Sequence, residues 1–239
     1  MSKSKVKPTG KKKDQTNELL ENPEAIATRL NRGEHFLKEN TKIVAGAIGA
    51  VILIIAAALF FQYNKANQNK TAQAEMFQAV YYFEQDSVDL ALNGDGVNPG
   101  LLTIIDKYGG TDAANLSNFY VGSIYLSQGQ HQNAIDHLKK FSADDFFIQA
   151  QAYALTGDAC MDLGDVKEAI RYYKRAAGHE PNKFFTPKYL NKLAIAYEES
   201  GDLKSAIETY EEIENKYFDS YEFTNARKHK ARLQGLASN

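Results

Sequence analysis

The sequence predicts an all-α protein, a single N-terminal transmembrane helix followed by an α-solenoid of helical hairpins. Three observations predict it. Residues 43–61 form a 19-residue apolar run with no charge and no proline, which at about 1.5 Å per residue spans the ~30 Å of a bilayer's hydrocarbon core. Downstream, the pattern Gly-x-x-x-x-Ala-Ile occurs three times, beginning at Gly129, Gly164 and Gly201, 35 and 37 residues apart. Between these two features, residues 50–93 contain neither glycine nor proline.

The apolar run is too long and too far from residue 1 for a cleavable signal, whose apolar stretch is roughly 7–15 residues. It is also longer than the usual buried helix segment. The preceding side is the more basic, with Lys11, Lys12, Lys13, Arg29, Arg32, Lys38 and Lys42, against Lys65 and Lys70 after the run. That bias predicts a cytoplasmic N-terminus and an external C-terminal domain. Phe60, Phe61 and Tyr63 fall at the expected aromatic belt. Within the run, Gly46 with Ala50 and Ala45 with Gly49 make small-xxx-small pairs, a surface on which another transmembrane helix can pack.

Residues 1–42 carry ten Lys/Arg and six Asp/Glu, a net of +4. Residues 1–16, lysine-rich and nearly without apolar side chains, are expected to be disordered. A short helix is expected from about residue 22, with Asn22 as N-cap, Pro23 at the first helical position and Ile26, Leu30 and Leu37 on one stripe. The glycine- and proline-free stretch predicts that the membrane helix continues through 62–71 as a helical stalk into the solenoid.

A hairpin repeat of about 34 residues is the tetratricopeptide signature. The middle copy fits it best: Gly157 lies twelve residues before Ala169, and Tyr173, Ala176 and Pro181 follow at +4, +7 and +12. Gly122, Tyr125, Ala134 and Leu138 take the matching places in the first copy, and Ala194, Tyr197, Ala206 and Tyr210 in the third. Small residues let the paired helices approach, large ones fill the space between hairpins, and the glycine ends the first helix at positive φ. The aromatic side chains, 13 Phe and 14 Tyr, are therefore expected mostly in the core, with Cys160 a buried packing residue. The expected layout of 72–239 is a degenerate pair over 72–113, repeats near 114–148, 149–183 and 186–218, and a polar-faced closing helix over 222–236.

Composition excludes several functions. Residues 62–239 carry 18 Lys/Arg and 24 Asp/Glu, a net of −6, so the large domain lacks the basic balance of a nucleic-acid binder. A single cysteine precludes an intrachain disulfide. The chain has no phosphate-cradling loop, zinc-protease motif, paired-cysteine spacing or nucleophile elbow. Asn93-Gly94-Asp95-Gly96 is a turn without the EF-hand spacing. The five histidines read as surface residues, and the acidic pairs as solvated. We therefore expect no catalysis, cofactor, metal or small-molecule substrate, and protein partners instead. Their expected docking place is the concave strip made by the first helix of each pair: Phe119, Ser123 and Leu126; Ala154, Asp158 and Met161; Lys188, Asn191, Ile195 and Glu198.

The order of features resembles the YfgM-like family, ancillary SecYEG translocon subunits with a tetratricopeptide-like domain. The resemblance is carried by the basic tail with Asn22-Pro23-Glu24, the single span, Ala91-Leu92-Asn93-Gly94-Asp95, and Asn115-Leu116-Ser117-Asn118-Phe119-Tyr120-Val121-Gly122 leading into Gly129 and Ala134-Ile135. It covers nearly the whole chain, though this tail is longer and richer in lysine than in enterobacterial members. It implies a single-pass bacterial inner-membrane protein with a periplasmic domain. It also implies partners in the SecYEG channel and a PpiD-like periplasmic chaperone, and a role with newly exported proteins. The alternatives are an envelope scaffold or adaptor for another membrane or cell-wall machine, or a membrane-anchored regulator.

Overall fold

The computed structural model describes residues 23–237. They form eleven helices: α1 (Pro23–Glu39), α2 (Thr41–Glu84), α3 (Val88–Asn93), α4 (Leu101–Lys107), α5 (Asp112–Ser127), α6 (His131–Leu138), α7 (Ile148–Asp162), α8 (Val166–Gly178), α9 (Thr186–Glu199), α10 (Leu203–Lys216) and α11 (Phe223–Ala237). The disordered tail of 1–16, the lysines at 11–13 and the Asn22 cap lie outside the described residues. The chain divides into two units, Met1–Tyr63 and Asn64–Asn239.

The first unit holds α1 and the apolar part of α2. Pro23 opens α1, where its missing N–H costs nothing. Leu37 is exposed; the side chains of Ile26 and Leu30 lie outside the description. α2 is one helix of 44 residues, helical at every position of 62–73. It is the one described helix long and apolar enough to cross a membrane, and none of its most apolar window is buried within the chain. Ile43, Leu53 and Phe61 are each more than two-thirds exposed. A helix this apolar that packs on nothing of its own chain needs an apolar surrounding.

The second unit is a stack of helical hairpins. Met76, with Val80 and Phe83 one and two turns on, turns the last part of α2 toward Leu92, Leu101, Ile104 and Val121, an upstream core. Tyr120 and Tyr125 of α5 join that core to a larger one running from Phe119 to Leu233. The hairpins α5/α6, α7/α8 and α9/α10 follow, and α11 closes the stack.

The repeat chemistry explains this. Gly129, Gly164 and Gly201 sit at φ of 73°, 78° and 79° after the first helix of each hairpin, where a Cβ would be strained. Asp165 and Asp202, expected as turn initiators, are N-caps of α8 and α10, accepting from the Glu168 and Ser205 amides. Gln130 at the matching place makes no such cap. Between the helices, a Cβ on Gly157 would lie 2.6 Å from Cε1 of Tyr173, and one on Gly122 2.6 Å from Cγ of Leu138. Cys160 is buried.

Candidate protein-interaction surface

The expected groove residues lie on α5, α7 and α9, but their surroundings differ sharply. Phe119 is buried, its ring 5.3 Å from that of Phe141. Ala154 is buried too. Ser123 is half-buried and donates to the Phe119 carbonyl at 3.0 Å. Leu126 and Met161 are partly buried against the downstream core. Lys188 and Ile195 are exposed and Asn191 half-exposed. In the apolar helix, Gly46 and Ala50 are exposed, Gly49 is partly so, and a Cβ at either glycine would meet nothing within 4 Å.

Two of the acidic candidates are engaged within the chain. The Asp158 carboxylate accepts from the Tyr173 hydroxyl and the Lys192 ammonium, both at 2.7 Å. It thus joins both helices of its own hairpin to the first helix of the next. Glu198 repeats the arrangement, accepting from the Tyr210 hydroxyl at 2.8 Å and from Arg232 on α11, with His229 Nδ1 3.4 Å away. In each brace the cation lies 34 residues after the carboxylate, one repeat on. A third, upstream, joins Glu75 to Tyr108 at 2.8 Å and to Lys107 at 3.0 Å.

Electrostatics follows this geometry. Burial opposes ionisation of Glu198, but the hydrogen bonds from Tyr210 and Arg232 outweigh it and hold the carboxyl below its usual range. Burial, reinforced by the Asp158 charge, pushes the Tyr173 phenol far up. The same causes, burial first and then the Glu198 hydrogen bond, raise Tyr210. These phenols are hydrogen-bond donors, not acids. Glu198 is therefore not the freely solvated acid expected of its pair with Glu199.

The histidines are a second correction. Only His35 is exposed; His131, His137, His179 and His229 are partly buried. His137 Nδ1 is 2.9 Å from Asn118 Oδ1. Asn118 Nδ2 donates to the Ala114 carbonyl, which leaves Oδ1 as acceptor and places the proton on Nδ1. His229 stacks on Tyr210 with ring centres 5.4 Å apart.

The aromatic residues are only partly core. Phe77, Phe184, Phe218 and Tyr221 are more than two-thirds exposed, and Phe146 nearly half. Phe146-Phe147 and Phe184-Phe185 open the first helices of successive repeats, and Phe147 packs on Phe185 at 4.5 Å. Pairs of phenylalanines one repeat apart were the sequence signal for this edge. Among the described residues no group of three His, Cys, Asp or Glu side chains is placed to hold a metal ion. The largest cleft, about 610 Å³, lies between the 71–75 turn of α2, Lys107 and the 93–99 loop. Asp95 organises that loop, accepting from the Val97 and Asn98 amides and from the Tyr82 hydroxyl, so its carboxylate is spent on the turn.

Residues 122–184 and 192–220 match family models of the tetratricopeptide repeat. The solenoid is of tetratricopeptide type. Its architecture is also that of the nearly identical TPR-like repeats of a Podosopora anserina protein described as a kinesin light chain. Two crystal structures of that protein, one of a point variant, align at TM-score 0.54 with 14% identity, covering 71% of this chain and 88% of theirs. At that identity the likeness is one of fold. In sequence, 69 residues are 38% identical to the Photosystem I assembly protein Ycf3 of two Prochlorococcus marinus strains, MIT 9301 and MIT 9215. That match takes in 28% of this chain, which spans about 40% of the length of those relatives. Tetratricopeptide repeats are protein-interaction modules, and the exposed Lys188, Asn191 and Ile195 leave this one a partly open first-helix strip.

Proposed function

We propose that the protein is a non-enzymatic, membrane-anchored interaction subunit, an accessory of the SecYEG translocon that links the channel to a PpiD-like periplasmic chaperone and to newly exported proteins. One observation carries the reading: a helix of membrane-spanning length and apolarity continues, without a break, into a tetratricopeptide solenoid. The resemblance to the YfgM-like family supports it, and so does the charge bias across the apolar run. In this reading residues 43–61 cross the bacterial inner membrane, 1–42 stay in the cytoplasm, 62–71 form a helical stalk, and 72–239 work in the periplasm. Gly46, Gly49 and Ala50 form the surface for a membrane-embedded partner. Lys188, Asn191 and Ile195, flanked by Ser123, Leu126 and Met161, form the contact strip for a protein segment, while Phe119, Asp158 and Glu198 hold its shape. The Ycf3 relatives are named for assembling a membrane complex, a role of the same general kind.

The test is affinity capture of the full chain from detergent-solubilised membranes. Recovery of translocon and chaperone components is the expected result. Their absence, with components of a cell-wall or outer-membrane machine recovered instead, overturns the translocon assignment and leaves an envelope scaffold. Labelling of single cysteines in a Cys160→Ser background checks the topology: a cysteine at Asn239 should react with an impermeant maleimide in cells whose outer membrane is permeabilised, and one at Ser2 should not.

A further inference from the structure

A cleft of about 300 Å³ opens away from the groove strip, between the end of α6 and the α7/α8 hairpin. Its lining includes Lys139, Ser142, Gln149, Tyr153, Tyr172 and Arg175, and no carboxylate. In a domain with more acidic than basic residues, that composition is unusual. The two cations are also unspent. The Arg175 guanidinium lies 4.0 Å from the ring centre of Tyr153 and 5.6 Å from that of Tyr172. Lys139 stands 5.8 Å from the Tyr172 ring centre. Neither has an ion pair or hydrogen-bond acceptor among the described residues, in contrast to Lys107, Lys192, Arg171 and Arg232.

The floor adds a donor. Gln149 is 4% exposed, and its Oε1 accepts from the Ala143 amide at 2.7 Å. That bond fixes the side-chain amide so that Nε2 is left without a partner among the described residues, in a residue lining the cleft. A buried donor of this kind is costly unless something accepts from it. The nearest acidic side chain in the adjoining loop, Asp145, is occupied with capping the Phe147 and Ile148 amides. Arg171, on the far side of Tyr172, is paired with Glu168.

Two tyrosine faces hold a planar guanidinium in place while its N–H groups stay free, an arrangement that favours bidentate capture of a carboxylate. The volume is at the lower end for a ligand site, suited to one acidic residue and its backbone. We infer that this cleft binds a carboxylate of an acidic protein segment, with Arg175 as the fork, Lys139 as the second charge and Gln149 as the floor donor. The inference deepens the interaction reading above and rests on it, adding a second contact outside the first-helix strip and the chemistry of what enters.

The test uses the full chain in detergent micelles and a fluorescein-labelled decapeptide with two glutamates and a free C-terminus. Its control has glutamine for glutamate and an amidated end. Fluorescence anisotropy should show the acidic peptide binding at least tenfold tighter, with the preference weakening as salt rises. Arg175→Gln should raise Kd for the acidic peptide tenfold or more, about 1.4 kcal/mol, with unchanged helical circular dichroism. Ser142→Glu, an exposed position, serves as a second variant and should abolish the preference. Equal binding of the two peptides overturns the inference, as does an acidic-peptide affinity that Arg175→Gln and Ser142→Glu leave unchanged. Protection by inorganic phosphate with no peptide binding also overturns it, in favour of a small-anion site. Partner capture from membranes by Arg175→Gln at wild-type level, together with lost peptide preference, would leave both readings standing as separate contacts. Peptide preference without any captured partner would defeat the translocon reading and leave the cleft.

Discussion

The first repeat and the two that follow use different chemistry for the same joint. At the position nine residues after the turn glycine, the first repeat places Leu138 against Gly122, with His137 and Asn118 paired beside it. The second and third place Tyr173 and Tyr210 there, each hydrogen-bonded to a carboxylate that also takes a cation from the next repeat. The leucine joint serves packing alone; the tyrosine joints pack and also fasten one hairpin to its successor. The difference teaches that the downstream end is held by polar links between repeats, whereas the upstream end relies on apolar burial.

The largest effect should come from removing a joint. Tyr210→Ala should cost about 3–5 kcal/mol, read by urea unfolding followed by circular dichroism, because the ring is fully buried and Glu198 loses a donor. Filling the close approach comes next. Gly157→Ala pushes a methyl into a rigid, buried tyrosine ring and should cost about 1–3 kcal/mol, partly offset by alanine's better helix propensity. Gly122→Ala meets the more flexible end of Leu138 and should cost less. Were the two equal, the distinction between rigid and yielding joints would fail. Tyr173→Phe isolates the polar part and should cost about 1 kcal/mol, since Asp158 keeps Lys192.

Acid should separate the regions. Burial, then the charge of Lys140, lowers the His137 imidazole against the opposing pull of Asp136. The folded chain therefore disfavours its proton. The stability it contributes is complete above the unfolded value of about 6.5 and is lost as pH falls through the lowered folded value. Glu198, also lowered, contributes above its ordinary value of about 4.5 and loses that contribution only in stronger acid. Thermal melts down the pH scale should show two steps. His137→Asn should remove the upper step, and Arg232→Gln should blunt the lower. The smallest effect belongs to Lys192→Gln, under about 1 kcal/mol, because the Asp158 pair is only partly shielded from water.

Much of the solenoid was legible because its repeat is made of small and large residues at fixed offsets. Gly157, Ala169 and Tyr173 state their own geometry: a small residue faces a large one one hairpin away. The braces were hidden because their carboxylates do not share an offset. Asp158 lies six residues before Gly164 and Glu198 three before Gly201, so no motif repeats even though both reach the same tyrosine position. Phe119 and Asp158 were assigned to an open strip by helical register, which gives the face a side chain starts from but not the neighbour that covers it. His137 looked like a surface residue because its partner, Asn118, sits on another helix. The unbroken α2, by contrast, followed directly from the absence of glycine and proline between residues 50 and 93.

The closing helix has a consequence of its own. α11 turns Ala226 and Leu233 inward and leaves Arg227, Lys228, Arg232 and Gln234 outward, while Lys230 pairs with Glu214 and Arg232 with Glu198. Stacked hairpins carry no intrinsic stop: an uncovered last hairpin is a template for another, including one from a neighbouring molecule. Charge on the outer face of α11 writes that stop. A chain cut before Phe223 would bare the surface around Tyr210 and Ile213, and such molecules should join end to end into growing rods instead of remaining at fixed length.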